Sequence, residues 1–262
     1  GGVGEICGRI LKGMQALRSA GVPTFYIWMF DEPWRVMLGV WDHAEKVLGG
    51  EVALEPTFAA YHLSHATATA SGNAYNGTNF SLPHRDYTFA DSYDTEGAPK
   101  VLTLWIPVSE VRQDNGCMMV VPKEFDPNYD RDDVSRHMLV QHTGWLAGKS
   151  FLSFPLGGAR ALAPAAAGTL MGWAGNTIHW GTNCHARSAD NPRASIAWVF
   201  KRTDAPHALD SPPLSRADVA SLSLARRREL VQSSMDFFKH WSTPHDPKRD
   251  ASADDSPATC RS

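Results

Sequence analysis

Long apolar runs are missing from this chain. None approaches the ~18–20 residues that cross a bilayer, so no membrane-spanning segment is expected. Cysteine is scarce: Cys7, Cys117, Cys184 and Cys260 stand far apart, with no Cys-x-x-Cys and no disulfide framework. That pattern points to a reducing, intracellular and cytoplasmic setting. An excess of charge of one sign is lacking too. The net charge is −3, which argues against a nucleic-acid footprint. There is no internal repeat, and the terminal Cys-Arg-Ser matches neither common retention nor peroxisomal signals. The chain opens Gly-Gly-Val without methionine, which leaves room for a preceding targeting segment. What is present is ordinary globular composition: 262 residues, 43 % hydrophobic and 20 % charged. An all-β barrel of this length is commonly one domain.

Ile6, Ile10, Met14 and Leu17 fall at helical spacing before Gly21 and Pro23. "TFYIWMF" (24–30) reads as a buried strand. A second helix is expected from Asp31 and Pro33 to Gly49-Gly50, with Trp34, Met37, Leu38, Trp41, Ala44 and Leu48 on one face. Then the texture changes. Short apolar runs alternate with turns near 52–62, 65–70, 101–108, 117–121, 136–141, 168–178 and 194–201. Many short strands without intervening helices predict a mainly β fold with flanking helices: a double-stranded β-helix, or cupin-like jelly-roll barrel. Ser215-x-x-Asp218 resembles a capping box, and Leu224, Val231, Met235 and Phe238 form a stripe. The expected organisation is a single domain over 1–242: a helical layer (1–50), a barrel (51–205) and a C-terminal helix (215–241). A disordered tail follows at 243–262.

Within the barrel lies "SLPHRDYTF" (81–89). A His and an Asp two apart are expected about once by chance among 11 His and 19 Asp, so the surroundings must decide. On a strand, residues i and i+2 share a face. His84 and Asp86 would then face inward and Arg85 outward. His43 and Glu45 have the same spacing but sit mid-helix, where i and i+2 diverge, and read as a solvated face. A third ligand is available in His179 of "GTLMGWAGNTIHWGTN". Two His and one carboxylate suit non-haem Fe(II), with zinc as competitor. In "NPRASIAWVF", Arg193 and Ser195 share a face. A guanidinium pointing inward needs an anionic partner, either a ligand carboxylate or a protein one.

In this order these segments resemble the phytanoyl-CoA dioxygenase family of Fe(II)/2-oxoglutarate oxygenases. "LPHRDYTF" is similar to its first metal motif. "VLTLWIPVSEVRQDNGCMMVVPKEFD" is similar to the following strand–Asn-Gly–strand unit. "AAAGTLMGWAGNTIHWGTN" and "NPRASIAWVF" are similar to the strands carrying the distal His and the cosubstrate Arg. The resemblance spans roughly residues 55–201. It departs at "VPKEFDP", where the family often reads Pro-Gly-Ser-His. It implies His84, Asp86 and His179 as iron ligands and catalytic centre. It implies Arg193 for the distal carboxylate of 2-oxoglutarate, helped by Ser195, and Trp105 beside the cosubstrate. Arg187 lies nearer to His179 but falls in a loop. Thr67 or Thr69 is a further candidate on an earlier strand. The implied activity is a dioxygenase using Fe(II), 2-oxoglutarate and O2 to hydroxylate a C–H of a small metabolite, releasing succinate and CO2. With Asp86 in place of Gly or Ala, oxygenation is expected rather than halogenation.

Two other classes compete: a cupin-like metal isomerase or hydrolase, and a non-catalytic jelly-roll binding module. Neither needs Arg193 and Ser195 together behind a His-Asp-His set. Tyr87, Phe89, Trp173 and Trp180 flank the ligands as pocket or core residues. His62 and His65 read as strand-end groups, "ARRRE" (225–229) as a solvated helix face, and Cys117 as a small buried hydrophobe.

Overall fold

The computed structural model describes residues 2–65, 82–141, 150–205 and 211–238. The proposed tail (243–262), Thr67 and Thr69 lie outside them, as does most of the strand expected over 65–70. The first helix, α1 (Val3–Ser19), buries Cys7, Ile10 and Met14. The expected helix over 31–48 is two. α2 (Asp31–Gly39) stops at Val40, whose φ of −107° leaves helical geometry, and α3 (Trp41–Leu48) ends at left-handed Gly49. The break lets Trp34 and Met37 on one helix and Trp41 and Leu48 on the other each reach the same core.

Nine strands follow among the described residues: β1 (Val52–Leu63), β2 (Val101–Pro107), β3 (Met118–Val120), β4 (Leu139–Gln141), β5 (Ser150–Leu152), β6 (Arg160–Ala161), β7 (Met171–Ala174), β8 (His179–Gly181) and β9 (Arg193–Arg202). A short helix, α4 (Phe89–Ser92), follows the His-x-Asp segment. The main sheet runs β1-β9-β2-β7, a smaller one runs β6-β3-β8, and β4 pairs with β5. All these pairings are antiparallel. The mainly β, helix-flanked architecture is the one that the strand pattern predicts.

Thr24–Met29 is a 3-10 helix, not a strand. Its aromatic composition favours β, but tertiary context overrides that preference. Among the described residues β1 is the edge of the main sheet, and the Thr24 hydroxyl and the Trp28 indole donate to its carbonyls at Ala60 and Ala59. The segment thus covers an edge that would otherwise present unpaired groups. At the other end, Ser215 and Asp218 form the expected capping box. The helix it starts, α5 (Arg216–Ala220), is short, and Ser223 caps a second, α6 (Leu224–Phe237). The expected single helix over 215–241 is therefore two. Val231 and Met235 of the stripe pack into the core, whereas Leu224, the first residue of α6, is exposed.

Register decides which side of the main sheet each residue serves, since cross-strand partners share a face. Ile196, Trp198 and Phe200 of β9 lie on one face with Leu102, Leu104 and Ile106 of β2, and join the core under the helices. Phe58 and Ala60 of β1 align with Trp198 and Ile196 on that same face. Trp28 stands 4.6 Å from the Phe58 ring, and Trp41 4.7 Å from Phe200. The other face carries Tyr61 opposite Ser195, Leu63 opposite Arg193, Trp105 opposite Ala197 and Met171, and Thr103 opposite Trp173. One face builds the core and the other builds a site. Because Trp28 is fully buried and ties the 3-10 segment to this core, Trp28→Ala should destabilise the fold by about 3–5 kcal/mol. Chemical denaturation of wild type and variant measures the difference.

Candidate metal centre and anion pocket

The His-x-Asp segment is not part of a regular strand, yet its backbone is held at almost every residue. His84 N–H donates to the His179 carbonyl at 3.2 Å, and His179 N–H donates to the His84 carbonyl at 2.9 Å. On the opposite side, Met138 N–H donates to the Pro83 carbonyl and Arg85 N–H to the Arg136 carbonyl. The Arg136 guanidinium donates to the Asp86 carbonyl at 2.9 Å, and Tyr87 N–H reaches the Gly175 carbonyl. The segment is thereby laid between the approach to β8 and the approach to β4.

His84, Asp86 and His179 come together as expected. Their ligand atoms all lie within 4.8 Å of one another. His84 Nε2 is 3.5 Å from Asp86 Oδ1 and His179 Nε2 is 3.6 Å from Asp86 Oδ2. Donors bound to one ion at ~2.1 Å stand about 3–3.5 Å apart, so the spacing suits a shared cation. The imidazoles are also set for it. Nδ1 of His84 lies 2.8 Å from the Leu82 carbonyl, and Nδ1 of His179 lies 3.0 Å from the Thr177 carbonyl. A carbonyl only accepts, so each Nδ1 carries a proton and each ring turns its Nε2 toward Asp86. Burial, reinforced by His84 and opposed by Asp86, lowers the His179 pKa to about 4, so its ring is neutral at pH 7. Burial opposes ionisation of Asp86 as well. Its two histidine neighbours and a bond from Thr103 outweigh that, and hold its carboxyl at about 2. Asp86 is ionised and His179 is neutral, the state a metal needs of each.

Thr103 was not singled out in the sequence. Its hydroxyl donates to Asp86 Oδ2 at 3.2 Å. The available signal was a lone polar residue in the apolar strand "VLTLWIP", two before Trp105 and hence on its face. Arg85 departs from expectation. It is buried, because its Nη1 donates to Asp126 Oδ2 at 2.6 Å and to the Asn176 carbonyl at 2.8 Å.

Along the same sheet face lies Arg193, only 1 % exposed. Its guanidinium sits 5.5 Å from the Trp105 ring centroid, a cation–π contact. Nε and Nη1 have no hydrogen-bond partner among the described residues, and neither does Ser195 Oγ, which is fully buried. Burial lowers the Arg193 pKa to about 10, against the opposing pull of Cys117, Tyr61 and Cys184, so it stays cationic. A buried cation with unused donors is costly unless an anion completes it. The protein carboxylate that would have explained Arg193 is not present among the described residues. Arg187, the nearer arginine, pairs with Asp114 in the loop.

The other sequence candidates disperse. Trp173 faces the site, its ring 4.8 Å from that of His179. Trp180 packs away from it on Phe154, and Phe89 stacks on Tyr93. Tyr87 covers the buried Lys201 ammonium, which pairs with Glu55 at 2.8 Å. His43 is exposed on α3. His62 is partly buried, and burial lowers its pKa to about 4, while His65 Nδ1 meets the Cys184 carbonyl. Within "ARRRE", Arg226 pairs with Glu229 and Arg227 with Asp31. Cys117 is buried beside Thr182. No helix of the described residues is long and apolar enough to cross a membrane.

Among solved structures, the chain is similar to the apo form of the non-heme monooxygenase ThoJ at 12 % identity and a TM-score of 0.53. That match covers 89 % of this chain and 92 % of that one. The likeness shows a shared fold. The chain is also similar to the epimerase SnoN, in complex with Fe3+, alpha ketoglutarate and nogalamycin RO. Identity there is 20 % and the TM-score 0.42, over 74 % of this chain and 66 % of that one, just under two thirds of its length. EctD from S. alaskensis, with 2-oxoglutarate and 5-hydroxyectoine, matches at 18 % identity and a TM-score of 0.42, over 70 % and 59 % of the two chains. No curated protein sequence matches. The sequence family described as Phytanoyl-CoA dioxygenase (PhyH) matches residues 29–185, more than half of the chain and inclusive of His84, Asp86 and His179. This chain therefore belongs to the phytanoyl-CoA dioxygenase family.

Proposed function

We propose that this protein is an Fe(II)- and 2-oxoglutarate-dependent dioxygenase that hydroxylates an unactivated C–H bond of a small-molecule metabolite, releasing succinate and CO2. The observation that carries this reading is Arg193: a buried cation with unpaired donors, on the face of the main sheet from which Thr103 reaches Asp86 of the His-Asp-His set. Family membership and the likeness to a non-heme monooxygenase support it. A metal isomerase or hydrolase could use the three ligands, but it has no need of a buried carboxylate clamp. We further read the fold as a double-stranded β-helix forming one domain over residues 1–242, in a reducing compartment.

The donor set fits the cofactors. His84, Asp86 and His179 would hold Fe(II) through two neutral nitrogens and one carboxylate, leaving positions open. Arg193 would take the distal carboxylate of 2-oxoglutarate, and its planar fork suits that group. Ser195, two residues on and facing the same way, would add a hydroxyl. Iron and 2-oxoglutarate, when bound, supply the activation of O2 and the oxidising power for C–H attack. The chain does the rest. The Leu82 and Thr177 carbonyls hold the imidazole protons on Nδ1, and Thr103 orients the Asp86 carboxylate. Trp105 covers the Arg193 guanidinium and keeps water from it, which strengthens its pull on an anion. Trp173 walls the site beside His179.

Anaerobic addition of Fe(II) and 2-oxoglutarate should give the visible charge-transfer band of a chelated complex. The band should vanish in Asp86→Ala and weaken strongly in Arg193→Ala. A folded, iron-loaded wild type without the band would sink the 2-oxoglutarate assignment in favour of the isomerase or hydrolase reading. Ser195→Ala should raise the KM for 2-oxoglutarate several-fold with little change in kcat, as expected where binding alone is lost. Thr103→Val should weaken Fe(II) affinity by about tenfold while costing only about 1 kcal/mol of stability. Metal titration and denaturation of the same sample separate the two effects.

A further inference from the structure

Arg85 lies between two ligands of the triad but turns away from it. Its Nη1 serves two acceptors from different parts of the chain: Asp126 Oδ2 at 2.6 Å and the Asn176 carbonyl at 2.8 Å. Both side chains of the ion pair are almost fully buried. Each acceptor is itself anchored. Asp126 Oδ1 accepts from Asn128 N–H, and the fully buried Asn176 donates through Nδ2 to the Tyr129 carbonyl at 2.9 Å. Tyr129 N–H in turn donates to the Asp126 carbonyl. The bonds close a ring running Arg85, Asp126, Tyr129, Asn176 and back to Arg85.

We infer that Arg85 and Asp126 are the positioning pair of the metal centre: they set the distance between the His84–Asp86 ligands and the His179 ligand. This inference rests on the reading of those three residues as metal ligands. His84 and Asp86 are the immediate neighbours of Arg85, so a shift of its backbone swings both. Asn176 lies in the turn between β7 and β8, three residues before His179, so the same guanidinium nitrogen also fixes the entry to β8. Stability alone is a poor reason for such a pair. Two desolvated charges often hold a fold no better than well-packed apolar side chains of similar size. What the pair adds is direction: a short charge-assisted bond at a fixed angle. Arg85 touches no ligand atom, so it acts only through the backbone on either side of it.

The test separates geometry from stability. Arg85→Met leaves Asp126 buried and unpaired, and should lower both the Tm and the Fe(II) affinity. The double variant Arg85→Met/Asp126→Leu removes both charges and should recover most of the Tm. Its Fe(II) affinity, by anaerobic calorimetry with the metal alone, should stay about 10- to 100-fold below wild type, the usual effect of losing a group that orients ligands. Fe(II) should also raise the Tm of wild type more than that of the double variant. Should the double variant not fold, Asp126→Asn keeps the shape and removes the charge, and should still weaken Fe(II) binding several-fold. Binding equal to wild type in the folded double variant, or in Asp126→Asn, would overturn the inference while leaving the metal reading intact. A wild type that binds no Fe(II) would overturn both.

Discussion

Two backbone hydrogen bonds, exchanged between His84 and His179, hold this centre together. They join a segment with no regular partner strand to the start of β8, and they bring residues far apart in sequence to the two sides of Asp86. The facing of the ligands builds on that junction. With the backbones fixed, each imidazole can give its Nδ1 proton to the carbonyl two residues before it and turn Nε2 inward. Asp86, two residues on from His84, then faces both nitrogens. Had the bridge slipped by one residue, Arg85 would face His179 while His84 and Asp86 turned away, since a single-residue shift reverses every side chain of a strand.

The main sheet separates two kinds of burial. Its helix-facing side is ordinary core, with the Trp28, Trp34, Phe58 and Trp198 rings packed edge to face and tilted. Its other side buries groups that a core would reject: the Arg193 cation, the Ser195 hydroxyl, Thr103 and the Lys201–Glu55 pair. Lys201 and Glu55 answer each other, and Thr103 answers Asp86. Arg193 and Ser195 keep donors in reserve, a cost that a packed interior tolerates where a ligand recovers it.

Much of this was legible in the residues. Alternating short apolar runs announced strands, "SRAD" announced a capping box, and the i, i+2 spacing placed His84 with Asp86 and Arg193 with Ser195 on shared faces. Other readings failed for identifiable reasons. "TFYIWMF" has strand composition but wraps the edge of β1 as a 3-10 helix, because that edge offers carbonyls to Thr24 and Trp28. Alternation put Arg85 outside, but outward from the triad is inward toward Asp126, since a second layer of loops covers that side.

The sequence by itself determined the donor types, their local spacing and the family pattern they follow, because side-chain chemistry and strand periodicity act over a few residues. Tertiary structure alone decided which distant groups meet. Thr103 on Asp86, Trp105 over Arg193, and Asn176 and Asp126 on Arg85 depend on register between strands and on the loops those strands carry. Register is set by the burial of whole faces, a cooperative property of the folded sheet that no single stretch of residues carries.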